Sequence, residues 1–196
     1  MRLIVALLAS LIQSAATMPL DNEYVRVTRN GAPCAAALPS ECGERVLVAL
    51  APITIRQLGQ PRRLERGDVA VFRWHESYLP PTIGEFLEVS IRPDRPRVQA
   101  SPVPIPLEPN ERLFDGETFF VFEERLPPGE TRARHSHSHR VVIVLNDTRL
   151  AERPEGQPEV VRAQIPDEVR FEPPVIHLVK TIGEKPLRNI VIELKP

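Results

Sequence analysis

Short apolar segments with β-forming side chains recur along the whole chain. Segments such as VLVAL from Val46, VAVF from Val69, FFVFEE from Phe119 and VVIVL from Val141 are rich in β-branched or aromatic residues, and Gly, Pro and Asp clusters bound them. No segment keeps a sustained helical periodicity with capping residues. The pattern predicts an all-β chain whose strands form small antiparallel barrels or jelly rolls.

The strand-rich segments also repeat. Three pairs of segments match in the same order along the two halves of the chain: LDNE with FDGE, ERVLVAL with HRVVIVL, and the stretches that begin at Asp68 and Asp167 and both continue into TIGE. Chance similarity between β-rich segments would not preserve this order. The chain is therefore predicted to contain two copies of one barrel unit.

The first residues show the three regions of a signal peptide. Arg2 supplies the positive charge, an apolar run extends from Leu3 to Ile12, and Ser14 and Ala16 give the small-x-small pattern of a cleavage site. The run is too short for a transmembrane helix. We predict an exported protein, periplasmic or secreted, with no membrane span after cleavage. A buried N-terminal helix is the alternative.

These patterns divide the chain into four parts. We predict a signal peptide over residues 1–16, a first unit over 17–92, a Pro-rich linker over 93–112 and a second unit over 113–196. The 22 prolines disfavour long helices. Their concentration in the linker predicts an extended, semi-rigid connector that does not pack as a structural element.

Charge and cysteine content restrict the classes of partner and covalent link. The net charge is −1 and no basic block occurs, so no nucleic-acid partner is expected. The two cysteines, Cys34 and Cys42, are predicted to form a disulfide if the protein is exported. Two free thiols in a loop are the alternative. A metal role for the pair is disfavoured because no third soft ligand lies nearby.

Histidines are concentrated in one segment, RARHSHSHRVVIVL. Residues two apart on a strand share a face, so His135 and His137 can present their imidazoles to one barrel mouth, where His177 can arrive from a neighbouring strand. His139 is a possible fourth ligand or a group that supports the ligands, depending on where the strand begins. A solvated polar loop is the alternative for HSHSH. His75 is interpreted as a surface residue of a turn.

The second unit resembles the cupin superfamily. Gly129, five residues and then His135-Ser136-His137 match the first motif of that family, and His177 matches the single histidine of the second motif. The resemblance implies that His135, His137 and His177 hold a divalent metal ion, with Zn, Cu, Fe, Mn and Ni all compatible. The glutamate that the family has after His-x-His is missing here.

The first unit departs further from the family pattern. The residues that align with the three histidines are Ser40, Cys42 and Tyr78, so the resemblance implies a degenerate first unit with a structural role. Over nearly the whole mature chain, the resemblance implies two cupin units in one chain, a bicupin.

The resemblance implies an exported metal-binding protein that acts on a small molecule. A dioxygenase or an isomerase is the first hypothesis, since an all-histidine ligand set is similar to that of the three-histidine dioxygenases of this superfamily. The alternatives are a non-catalytic metal- or small-ligand-binding protein and a structural bicupin without metal. No catalytic residue is selected, because nothing distinguishes Glu123 from Glu124 on the strand before the motif. A homodimer through exposed barrel edges is compatible with the sequence.

Overall fold

The computed structural model describes residues 16–32, 43–74, 76–105 and 112–196. The predicted disulfide, His75 and all but the last residue of the predicted signal peptide lie outside these ranges. The described residues contain no helix long and apolar enough to cross a membrane.

Seventeen strands make up the regular structure of the described residues. In the first half they are β1 (Thr17–Asp21), β2 (Val25–Arg29), β3 (Arg45–Ala49), β4 (Ile53–Gln57), β5 (Gln60–Leu64), β6 (Val69–Phe72), β7 (Tyr78–Leu79) and β8 (Phe86–Ile91). In the second half they are β9 (Arg112–Asp115), β10 (Phe119–Leu126), β11 (Thr131–His137), β12 (Arg140–Val144), β13 (Thr148–Pro154), β14 (Val160–Gln164), β15 (Val169–Glu172), β16 (Val175–Thr181) and β17 (Leu187–Leu194).

Each half of the chain forms one large and one small antiparallel sheet. The large sheets have the orders β6-β3-β8-β2-β1 and β15-β12-β17-β10-β9, which correspond strand for strand. The small sheets have the orders β5-β4-β7 and β11-β16-β13-β14. The predicted all-β class with two small antiparallel barrel units is confirmed.

The two large sheets share one hydrophobic core. Strands β3 and β12 are buried along their whole lengths, because one face is turned to their own barrel and the other to the opposite unit. The largest buried cluster combines Val46 and Val89 of the first unit with Val141 and Ile192 of the second. The units therefore pack through the outer faces of their large sheets.

The interiors of the two barrels differ in composition. The first barrel contains a cluster of nine buried hydrophobic residues, among them Leu47, Ile55 and Phe72. The corresponding cluster in the second barrel has four members. Much of the remaining interior of the second barrel is polar, and this is where the histidines lie.

The connector between the units is packed, contrary to the expectation from its proline content. Val98 is buried in the core that the large sheets share. Farther along, the backbone N–H of Ser136 donates to the carbonyl of Val103 at 3.1 Å. The prolines keep the segment extended. Its remaining backbone donors and acceptors form hydrogen bonds with the unpaired edge of β11.

Candidate metal centre

Strand pairing brings the three predicted histidine ligands together. His135 on β11 lies directly opposite His177 on β16, and His137 follows two residues later on the same face. Gly129, in the turn before β11, has a φ of 79°, a left-handed conformation that glycine adopts without strain. Its N–H donates to the carbonyl of Thr181 at 2.9 Å, which fixes the start of β11 against the end of β16.

The imidazole Nε2 atoms converge. Nε2 of His135 lies 3.1 Å from Nε2 of His137 and 3.1 Å from Nε2 of His177. One ligand atom from each of the three residues lies within 4.8 Å of the others, and the side chains are almost completely buried. In the part of the chain that the structure describes, no other group of three or more metal-ligating side chains comes together.

Hydrogen bonds at the opposite ring nitrogens orient two of the rings. His135 Nδ1 donates to the carbonyl of Ala133 at 2.7 Å. His137 Nδ1 lies 2.7 Å from Oε2 of Glu193, a carboxylate on β17. A ring that donates from Nδ1 has its lone pair on Nε2, the atom that points into the cluster.

The environment keeps the three imidazoles neutral. Burial lowers the pKa of all three, to about 3 for His137 and to about 2 for His177. The positive charge of Arg140 lowers the pKa of each ring further. Neutral imidazole is the form that binds metal ions, so no proton has to be removed at neutral pH.

Opposing effects act on the pKa of the Glu193 carboxyl. Burial raises the pKa of its carboxyl to about 7, while the N–H of Ser138 and the charge of Arg140 lower it. Oε1 accepts the Ser138 N–H at 2.7 Å and the Ser101 hydroxyl at 3.2 Å. At pH values above that pKa, the ionised Glu193 carboxylate accepts a hydrogen bond from the Nδ1–H of His137.

This arrangement fits a metal ion. Ligand bonds of about 2.0 to 2.1 Å place neighbouring imidazole nitrogens about 2.9 to 3.4 Å apart. The two separations of 3.1 Å from His135 Nε2 fall in that range, and all three ligand atoms lie within 4.8 Å of one another. Without a cation, the lone pairs on Nε2 of His135 and Nε2 of His137 would face each other at 3.1 Å in a buried site. Three imidazoles suit Zn, Cu, Fe and Ni, and leave coordination positions open.

The cluster borders a small polar cavity of about 30 Å³ inside the barrel, lined by His137, His177 and other side chains. Its charged lining residues are Glu124, Arg140, Glu152, Arg170 and Glu172. Arg140 donates to the carbonyl of Pro173 at 2.9 Å, and Oε2 of Glu124 accepts the Asn189 amide at 3.2 Å. A volume of this size admits about two water molecules at most.

Solved structures with the same fold include a cupin 2 conserved barrel domain protein from Leptotrichia buccalis. It is 13% identical, with a TM-score of 0.58, over 92% of this chain and 88% of that one. AerE from Microcystis aeruginosa is 11% identical, with a TM-score of 0.55, over 88% of this chain and 87% of that one. A mutant salicylate 1,2-dioxygenase from Pseudoaminobacter salicylatoxidans is 13% identical, with a TM-score of 0.55, over 87% of this chain and 71% of that one.

The chain has the cupin fold. The resemblance seen in the histidine motifs is thereby confirmed at the level of the fold. No protein-family model and no curated protein matches the sequence.

His139 does not join the histidine cluster of the second cupin barrel. Its ring stacks on Tyr24 of the first unit at a centroid distance of 4.6 Å and on Phe171 at 5.8 Å. Strand β11 ends at His137, so the alternation of side chains that unites His135 and His137 does not extend to His139. His139 is a contact between the two units.

The sequence does not distinguish Glu123 from Glu124 on β10 as a catalytic candidate. The structure places Glu124 in the cavity. Glu123 instead binds Arg125 and Arg188, with a distance of 2.7 Å between its Oε1 and Nε of Arg188. Glu193 and Arg140 were not recognised from the sequence. A usable signal was present in LRNIVIEL, where Asn189 and Glu193 stand at positions of the same parity with only apolar residues between them.

The first barrel has a tyrosine where the second has a histidine. Tyr78 lies opposite Gln57 in β4, as His177 lies opposite Pro154 in β13. The Tyr78 hydroxyl donates to Oε2 of Glu88 at 2.7 Å. Burial and the Glu88 charge raise the pKa of Tyr78, so the phenol stays protonated. The other aligned positions, Ser40 and Cys42, lie outside the described residues.

Proposed function

We propose that this chain is an exported cupin protein that binds one divalent metal ion through His135, His137 and His177 and acts there on a small molecule. The observation that carries the proposal is the convergence of three neutral imidazoles whose Nε2 atoms lie 3.1 Å apart in two of the three pairs. The identity of the metal, among Zn, Cu, Fe, Mn and Ni, is for elemental analysis to decide.

A dioxygenase or an isomerase is the proposed activity. The bound metal would supply a Lewis acid and a template for the reactants. One of the structures with this fold is a salicylate 1,2-dioxygenase, which makes dioxygen consumption the first activity to test.

Two side chains of the cavity have roles in this proposal. Glu124 is buried, and its Oε2 is held by the Asn189 amide, so its carboxylate is the group placed to accept or return a proton inside the cavity. Arg140 is anchored to the Pro173 carbonyl and supplies a fixed positive charge, which favours an anionic ligand.

A non-catalytic metal-binding protein is the second candidate, and the size of the cavity favours it. At about 30 Å³ the cavity holds only ligands of the size of water or dioxygen. A larger substrate would require the charged side chains that line the cavity to separate, among them the ion pair of Arg170 and Glu172 at 3.3 Å.

The first unit has a structural role in this proposal. Its interior is filled with apolar side chains, and Tyr78 occupies the position that His177 has in the second barrel. The unit supports the second barrel through the core that the large sheets share.

Metal content and turnover test the proposal together. Protein purified from its native compartment is expected to contain one equivalent of a divalent metal per chain, measured by elemental analysis. Dioxygen consumption with small organic acids then separates a dioxygenase from a protein that only binds metal. A metal-free native protein that fails to bind Co²⁺ or Zn²⁺ in titration would overturn the metal centre.

Export and the disulfide have direct tests. N-terminal sequencing of exported material is expected to begin at or next to Thr17. Mass spectrometry of non-reduced protein is expected to find a peptide that joins Cys34 to Cys42. Intact Met1 on cytoplasmic protein would contradict export, and two alkylated thiols would contradict the disulfide.

A further inference from the structure

The connector between the units lies along the strand that carries His135 and His137. Ser136, between the two histidines, binds Val103 three times: its N–H and its hydroxyl donate to the Val103 carbonyl at 3.1 and 2.6 Å, and the Val103 N–H lies 2.9 Å from its Oγ. Ser138 donates to the carbonyl of Gln99 at 3.2 Å. The segment from Gln99 to Val103 is thus attached at both ends to the histidine motif.

The same segment reaches the carboxylate behind His137. Ser101, midway between the two attachments, donates its hydroxyl to Oε1 of Glu193 at 3.2 Å. The Ser138 N–H donates to the same oxygen at 2.7 Å, and the other oxygen of Glu193 meets Nδ1 of His137 at 2.7 Å. A continuous series of hydrogen bonds therefore runs from the connector through Glu193 to an imidazole of the cluster.

The position of this carboxylate determines how His137 presents its lone pair. An acceptor at Nδ1 selects the tautomer with the proton on Nδ1 and fixes the plane of the ring, which leaves Nε2 free for a metal. Partners of this kind typically change metal affinity by about 10- to 100-fold. The Glu193 side chain has rotamers that would take Oε2 away from His137, and two donors on Oε1 oppose them.

We propose that Ser101 is a positioning residue of the metal centre: by holding the Glu193 carboxylate, it fixes the ring orientation and the Nδ1–H tautomer of His137. The inference rests on the proposed metal site and adds to it a residue from outside the barrel. It also gives the connector a role beyond joining the two units, since its path over β11 puts Ser101 within reach of Glu193.

The test compares four variants of the full chain by Co²⁺ titration of the metal-free protein. Ser101→Ala is expected to weaken Co²⁺ binding by about 3- to 10-fold, and Glu193→Ala by about 10- to 100-fold. Ser101→Thr keeps the hydroxyl and is expected to restore the wild-type affinity. Ser90→Ala, at another partly buried serine on β8 of the first unit, is the control and is expected to leave the affinity unchanged.

A second measurement reads the ring directly. The ¹⁵N shifts of His137 in metal-free protein are expected to report the Nδ1–H tautomer in the wild type and a mixture of tautomers in Ser101→Ala. A loss of stability alone would not change the tautomer of folded molecules. Wild-type affinity and an unmixed tautomer in Ser101→Ala would overturn the positioning role and leave the metal centre intact. Failure of the wild type to bind Co²⁺ would instead overturn the proposed function, while the ¹⁵N shifts still decide whether Ser101 orients His137.

Discussion

The two barrels have the same strand order in their large sheets. Their interiors differ in polarity, because the first is mainly apolar and much of the second is polar. In the first, Tyr78 stacks on Phe72 at a centroid distance of 4.4 Å and donates to Glu88. In the second, the residue at the position of Tyr78 is His177, which faces His135 across the strand pair. The first interior is closed by ring packing, whereas the second brings nitrogen lone pairs together around a polar cavity.

One feature is common to both interiors. Arg45 begins β3 and Arg140 begins β12, and both are buried. Arg45 lies over the ring of Phe72 and donates to the carbonyl of Glu76, whereas Arg140 faces the cavity beside the histidines. The fold thus positions a buried cation in each unit, and the residues around it decide whether it supports packing or a polar site. The difference between the barrels lies in a few inward-facing side chains.

The strongest test of this difference is His177→Ala. Metal at a hundredfold excess over its dissociation constant is expected to stabilise the wild type by about 2.7 kcal/mol, and the variant is expected to lose most of that increment. The reason is that His177 is the proposed ligand on β16, whereas the other two proposed ligands lie on β11. Thermal unfolding with and without Zn²⁺ measures this stabilisation in the wild type and in the variant. A metal-to-chain ratio near two would contradict a single metal site per chain.

The metal-free protein is expected to lose stability as the pH falls below 6.5. His135, His137 and His177 have lower pKa values in the folded chain than in the unfolded chain, so the unfolded state binds more protons in this range. Glu193 acts in the opposite direction between about pH 4.5 and 7, because its pKa is raised on folding. His137, His177 and Glu193 together give a net loss of about 1 kcal/mol from pH 6.5 to 5.5; the lowered pKa of His135 adds to this loss and the raised pKa of Glu152 reduces it.

Urea unfolding at the two pH values measures this loss. His177→Gln removes one of the three histidines and is expected to reduce the loss by about 1 kcal/mol. Equal stability of the metal-free wild type at pH 6.5 and 5.5 would contradict the burial of neutral imidazoles.

Tyr78→Phe examines the first barrel in the same way. Removal of the hydroxyl that donates to Glu88 is expected to destabilise the protein by about 1.5 kcal/mol, because a hydrogen bond to a buried carboxylate is lost. Metal affinity is expected to stay within twofold of the wild type, because Tyr78 is not among the proposed ligands. Chemical unfolding and Co²⁺ titration give the two values. A large drop in affinity would mean that the barrels are coupled.

The smallest effect is expected for His139→Ala. Loss of the stack on Tyr24 is expected to cost about 1 kcal/mol of stability, and metal affinity is expected to be unchanged. The variant is the matched control for His177→Ala, since both remove one imidazole. A marked decrease in metal affinity would return His139 to the ligand set.

Much of the architecture could be predicted from the sequence. Alternation and β-branched side chains indicate strands, and the repeated segments indicate two like units, because these signals depend on neighbours along the chain. The spacing of His135 and His137 is equally local, since a strand places residues two apart on one face. The boundaries of the signal peptide, the two units and the linker, together with the disulfide, stay predictions.

Only the tertiary structure determined the contacts between segments that are distant in the sequence. Glu193 reaches His137 because β17 passes beneath the motif, and Ser101 reaches Glu193 because the connector runs along the open edge of β11. His139 lies outside the cluster because β11 ends two residues earlier. Hydrogen bonding to a distant strand determines where β11 ends. The sequence by itself determined which residues are suited to bind a metal, since that depends on side-chain chemistry and local periodicity. Which of them meet, and what orients them, depended on the pairing of strands far apart in the chain.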